Sequence, residues 1–171
     1  MSEQPNISAA DVKALRDRTS AGVMECRRAL EQADGDIDRA VVVLRESGLS
    51  IAEKRADRQT SQGLVESYIH AGGRLGALVE VNCETDFVAR TDAFKTLVRD
   101  LAMQIVATNP LSVSEEDLPS GAEGDPSEIC LLRQPFIKDD SRAVDDLVKE
   151  VIAQTGENIR VRRFARFELG Q

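Results

Sequence analysis

The chain has no tryptophan, one tyrosine and five phenylalanines in 171 residues. A core with so few aromatics must be assembled mainly from Leu, Val, Ile and Ala. The three cysteines, Cys26, Cys83 and Cys130, are odd in number, far apart and without a CxxC pair. That excludes a disulfide framework and fits a reducing, cytoplasmic setting. His70 is the only histidine, and no neighbour in sequence makes an evident dyad with it. Only a triad assembled in space stays open. Cys83, Glu84 and Asp86 cluster, but a zinc site takes about four ligands and the other cysteines are remote. There is no GxxxxGK[ST] and no GxGxxG. The glycines of "AGGRLG" sit in a hairpin pattern rather than at a helix start, so they do not form a phosphate loop. No run approaches ~18 apolar residues, the length of a membrane span. The first residues, MSEQPNISAAD, lack the basic and apolar regions of a signal peptide.

Positive charge is also scarce, with 22 Lys and Arg against 30 Asp and Glu, a net charge of −8. This argues against general binding to phosphate backbones and favours a protein partner with a basic or mixed surface. Arg160, Arg162, Arg163 and Arg166 form one locally basic stretch, whose ordinary reading is the solvated face of a strand.

What is present divides into two regions. Residues 7–48 carry three short helical patterns. Ser8 with Asp11 makes a variant capping box, "TSAG" at 19–22 breaks the first pattern, and Cys26, Ala29, Leu30 and Ala33 follow at helical spacing. Asp36 is suited to cap a third helix through Ile37, Ala40, Val41 and Leu44, and Gly48 to end it in left-handed geometry. Residues 1–49 therefore read as a three-helix module, too small to be more than marginal alone. Residues 50–62 read as a polar, partly helical linker. Residues 63–171 read as an α+β core, with a shortened, acidic, irregular loop at 111–133. A hairpin turns at Gly72-Gly73, and in its second strand Leu75, Ala77, Val79, Val81 and Cys83 alternate onto one face. Helices are expected over 92–108 and again from a Ser141 cap to Gly156. In the last strand Ile159, Val161, Ala165, Phe167 and Leu169 share a face broken by Arg163. The two helices can cover one face of a three-stranded antiparallel sheet.

One stretch, "VNCETDFVARTDAFKTL", carries Thr-Asp twice. Thr91-Asp92 caps the long helix, and Thr85 can cap a short turn before it. Capping does not require Phe87. Either it folds into the core, or with Asp86 it forms an exposed acid–aromatic pair on a strand–helix corner, built to enter a partner.

"LRDRTSAGVMECRRALEQADGDIDRAVVVLRESG", "YIHAGGRLGALVE", "VEVNCETDFVAR", "QPFIKDD" and "GENIRVRRFARFELG", in this order, resemble the elongation factor Ts family over almost the whole chain. The resemblance implies a guanine-nucleotide exchange factor for elongation factor Tu, with no cofactor and no covalent chemistry of its own. It implies a ubiquitin-associated-like N-terminal module that docks on the partner's GTPase domain through Lys13, Arg16, Val23, Met24 and Arg27. It further implies insertion of Asp86 and Phe87, flanked by Thr85 and Val88, near the magnesium and phosphate end of the nucleotide site, with His70 and Gly73 as a second contact. The short form implies a homodimer through the edge of the C-terminal strand. Ser20 and Val23 stand where the family usually has Gly and Met, and residues 111–133 are too short for the family's helical hairpin. A non-exchanging adaptor, or an RNA-binding translation protein using Arg160–Arg166, are the alternatives.

Overall fold

The computed structural model describes residues 7–19 and 21–171; Ser20, which stands where the family usually has Gly, lies outside the described residues. Helices α1 (Ala9–Thr19), α2 (Val23–Gln32) and α3 (Ile37–Arg55) come first. The Ser8–Asp11 box forms in both directions: Asp11 N donates to Ser8 Oγ and Ser8 N to the Asp11 carboxylate, each at 3.1 Å. The Asp36 carboxylate accepts from Arg39 N at 3.0 Å and opens α3. Leu15, Cys26, Ala29, Leu30, Ala33 and Ala40 make the buried centre of this bundle. A centre so small and so rich in alanine supplies little apolar area, so the module gains from leaning on something larger.

It leans on the core through α3. The expected stop at Gly48 does not occur: the helix continues to Arg55 and takes in the first part of the expected linker. Gly48 is buried mid-helix, where an added Cβ would lie 3.1 Å from the Cβ of Ala153. Glycine serves close helix approach here rather than a left-handed cap. Arg45 pairs with Asp146 beside this contact, and Ala52 joins the main core.

The core follows the α+β expectation. Strands β1 (Gln62–Ile69), β2 (Leu75–Cys83) and β5 (Ile159–Glu168) form an antiparallel sheet in the order β1-β2-β5. Between β2 and β5 lie α4 (Asp86–Ala89), α5 (Asp92–Thr108), α6 (Pro126–Ile129), the small hairpin β3 (Pro135–Phe136) and β4 (Asp139–Ala143), and α7 (Val144–Thr155). α5 ends where Asn109 takes φ +50°, and α7 where Gly156 takes φ +72°. Phe94, Val98, Leu101 and Ile105 of α5 and Val144, Val148 and Ile152 of α7 pack on Val79, Val81 and Cys83.

Two local expectations are corrected. Ser141 does not cap α7; it lies in β4 and donates to Asp139 Oδ1 at 2.6 Å, while Ala143 takes the cap position. The last strand does not keep one apolar face. Glu80 pairs with Arg163 and Val81 with Val161, so Arg162 is an extra residue and the pairing shifts by one. Such a bulge flips every later side chain. Phe164 and Arg166 therefore turn toward the helices, and Ala165, Phe167 and Leu169 toward the open face.

Residues 111–133 hold only α6 and a 3-10 turn, Leu131–Arg133, and no long helices. A buried polar network binds the residues that follow this segment, Gln134 and Pro135, to α5. Gln104 Nε2 donates to Gln134 Oε1 (3.2 Å) and to the Pro135 carbonyl (3.1 Å), and Thr108 Oγ1 donates to Gln134 Oε1 (2.7 Å).

Candidate functional site

β2 delivers the chain at Cys83, and within two residues it turns into α4. Thr85 is extended (φ −127°, ψ 157°), as an N-cap must be, and its Oγ1 accepts from Val88 N at 3.4 Å. Thr91 repeats the device for α5, accepting from Phe94 N at 3.3 Å and donating to the Val88 carbonyl at 2.8 Å. The two Thr-Asp pairs thus cap two separate helices. Four residues are too few to hold a helix by themselves. The buried side chains of Val88 and Ala89 anchor it from beneath.

This arrangement decides the orientation of Phe87. Its neighbours Val88 and Ala89 are 8 % and 5 % exposed, and Phe87 is 77 % exposed. Asp86 beside it is half-buried and pairs with Arg90, Nη2 to Oδ2 at 2.7 Å. A pair this exposed contributes little, so Asp86 can exchange Arg90 for another partner at small cost. Val88, expected as a contact, faces the core and holds the corner from below.

Long-range contacts tie the corner down. Glu157 accepts from Thr85 N at 2.9 Å and from Thr85 Oγ1 at 2.6 Å. Glu84 accepts from Asn158 N at 2.7 Å and from Arg58 Nη1 at 3.4 Å. Asn158, 3 % exposed, donates its side-chain amide to the carbonyls of Ala56 (3.1 Å) and Arg58 (2.9 Å). Cys83 Sγ donates to the Thr85 carbonyl at 3.1 Å. Burial, with the Glu157 charge nearby, pushes the Cys83 thiol up to about 11, so it stays protonated near neutral pH. Arg58, Glu157 and Asn158 were missed by sequence reasoning, and Glu84 was read only as part of a cluster with Cys83 and Asp86, because their partners lie up to 102 residues away. The only signal was that "GENI" stands between a helix end and a strand start.

The remaining expected residues form two other patches. Lys13, Arg16, Val23, Met24 and Arg27 lie exposed on α1 and α2, with Val23 at 51 % and Met24 at 61 %. His70 and Gly73 lie exposed in the hairpin turn. There Gly72 and Gly73 take φ +93° and +67°, and Tyr68 Oη meets His70 Nδ1 at 3.3 Å. This turn is at the opposite end of the nine-residue strand β2 from the corner, roughly 27 Å away at about 3.4 Å per residue. No side chain from the corner reaches His70. Of the basic strand, Arg163 pairs with Glu80, and Arg166 pairs with Glu168 and donates to the Val106 carbonyl. Among the described residues, no group of three His, Cys, Asp or Glu could hold a metal, and no helix is long and apolar enough to cross a membrane.

Comparison with known proteins gives concordant matches. The family model described as Elongation factor TS matches residues 10–124. Elongation factor Ts of Carboxydothermus hydrogenoformans is 48 % identical over 195 aligned positions, covering 96 % of this chain and 90 % of that protein. Elongation factor Ts of Moorella thermoacetica is 48 % identical, with 96 % of each chain covered. That of Thermosynechococcus vestitus is 50 % identical over 96 % of this chain and 66 % of its own. The 195 aligned positions exceed the 171 residues here, so the first two relatives carry residues in the matched span that this chain lacks. That is in keeping with the short 111–133 segment.

Proposed function

We propose that this chain, which belongs to the elongation factor Ts family and so to the factors of translation elongation, promotes release of GDP from elongation factor Tu in the cytoplasm. The observation that carries the reading is Phe87: a large apolar side chain, 77 % exposed, on a turn whose adjacent residues are buried. An aromatic held out in water on a fixed mount is the kind of group that anchors an interface. In this reading Phe87 enters between elements of the partner near the magnesium and phosphate end of its nucleotide site. Asp86 leaves Arg90 to engage a polar group there.

The energetics define the task. A nucleotide held at about nanomolar affinity has about 12 kcal/mol of binding free energy. Magnesium neutralises its phosphates, so displacing a magnesium ligand leaves charge unpaired. A wedge that repacks the partner's elements switches them between discrete arrangements. The factor must bind the nucleotide-free partner more tightly than the nucleotide-bound one, and by linkage the nucleotide then expels the factor. No covalent bond changes on this chain, and the reading requires no cofactor. The ubiquitin-associated-like module supplies the second patch, with Val23 and Met24 as its apolar centre and Lys13, Arg16 and Arg27 around them. His70 and Gly73 supply a third.

We further propose that the factor is a homodimer in which a second copy covers the open face of the sheet. Ile69 (64 % exposed), Phe167 (67 %) and Leu169 (66 %) crowd one end of that face, with Leu78 behind them. The Glu80–Arg163 pair lies toward the other end. A two-fold axis lying between the two faces and along the strands sets apolar end on apolar end and the two ion pairs within reach of each other.

Release of labelled GDP from elongation factor Tu tests the exchange reading. Wild type accelerates release, and Phe87→Ala loses most of the effect while still binding. A wild type that binds without accelerating release establishes an adaptor instead.

A further inference from the structure

We propose that Glu157 and Asn158 are positioning residues for exchange, fixing the Asp86–Phe87 corner to the end of α3 so that corner and helical module meet the partner as one body. This rests on the exchange reading above. A threonine N-cap needs only its own hydroxyl. Here the Thr85 hydroxyl accepts from Val88 N and still has a proton to place, and Glu157 takes both that proton and the Thr85 N–H. The carboxylate therefore orients the residue that immediately precedes Asp86 and Phe87. Charge-assisted hydrogen bonds of this length are the strong ones.

Asn158 completes the circuit. Its backbone N–H holds Glu84, next to Thr85, and its side-chain amide holds two carbonyls just past the end of α3. Carbonyls at a helix end have no partner within the helix. At 3 % exposure the amide has no water to substitute for them. Arg58 closes a parallel path to Glu84. The route from α3 to Phe87 is thus a chain of hydrogen bonds running through one two-residue step after α7. The consequence is functional. A wedge must arrive in register with a module docked elsewhere on the partner, and any looseness between the two patches lowers the effective concentration of the second contact and misplaces the reacting geometry.

The test is GDP release from elongation factor Tu over a range of factor concentrations, for wild type, Phe87→Ala, Glu157→Gln, the double variant and Thr85→Val. Glu157→Gln keeps the shape but makes one of the two oxygens a donor. It is expected to lower the saturating release rate roughly tenfold, as losing one charge-assisted hydrogen bond would, with the half-saturating concentration within about twofold. The double variant is expected to be no slower than Phe87→Ala alone, because both changes act through the same side chain. Thr85→Val, which removes the hydroxyl that Glu157 holds, is expected to lower the saturating rate as Glu157→Gln does. An additive loss in the double variant, or a Glu157→Gln rate equal to wild type where Phe87→Ala is impaired, overturns the inference alone. A wild type without effect on release overturns the exchange reading and this inference with it.

Discussion

Phe87 and Phe94 lie seven residues apart in one strand–helix–helix turn, and truncating each to alanine is expected to have opposite consequences. Phe94 is fully buried beneath the sheet. Its removal leaves a cavity as well as losing transfer free energy, for a cost of about 3–5 kcal/mol. Phe87 has less than a quarter of its surface hidden. A phenylalanine has about 200 Å² to bury, so at about 25 cal/mol per Å² the hidden part contributes about 1 kcal/mol at most. In a chain of this size 1 kcal/mol moves the melting temperature by about 2–4 °C. Phe87→Ala should therefore melt within a few degrees of wild type, and Phe94→Ala about 10 °C lower or more. Urea unfolding followed by circular dichroism, with an unchanged slope in both variants, gives the same ordering as free energies. If Phe87→Ala is destabilised as much as Phe94→Ala, Phe87 is a packing residue and the corner is not a probe. If it is stable and fails in GDP release, the failure belongs to the interface and not to the fold.

Two further outcomes follow from the same packing. The Cys83 thiol, held near 11 by burial, binds its proton more tightly in the folded than in the unfolded chain. Its contribution is therefore complete below the unfolded value of about 8.5 and is lost as pH rises toward 11. Melting temperature should fall across that window, and Cys83→Ala should flatten the fall; an equal slope in both proteins contradicts the assignment. For the dimer, sedimentation over a concentration series should show two copies at tens of micromolar and one for Phe167→Asp, whose charge would be desolvated in the apolar row. A monomeric wild type at that concentration refutes the covered face.

Periodicity and caps were legible wherever the physics is local. The span 92–108 and its Thr91 cap follow from a four-residue apolar beat and one residue type, and the structure has both. The failures have a shared cause. Gly48 carries the mark of a helix end, yet it sits mid-helix, where Ala153 of α7 comes close enough that an added Cβ would be tightly packed at 3.1 Å. Arg163 interrupts an apolar alternation, and the interruption is the trace of a bulge that depends on the register with β2. At the corner, sequence left Phe87 open between core and surface. The choice was made by burial of Val88 and Ala89 against β1 and β2, and by Glu157 and Asn158 arriving from a distant loop. In each case the deciding contact is tertiary, and the local residue pattern does not specify it.

The open choice at Phe87 also explains why the mount is so heavily built. A four-residue helix presenting an apolar ring to water would sooner fray and bury the ring. Here the capping residue Thr85 is clamped by a carboxylate, the third and fourth helical residues are buried, and the next helix starts at once from its own cap. Freedom removed before binding is freedom the complex does not have to remove. In the proposed exchange reaction that difference sets the usable coupling. Whatever the wedge loses in ordering itself is unavailable for weakening the nucleotide, and linkage makes the two effects equal and reciprocal. A rigid corner on an otherwise ordinary α+β core is therefore where the stability of the fold is converted into differential affinity for the two states of the partner.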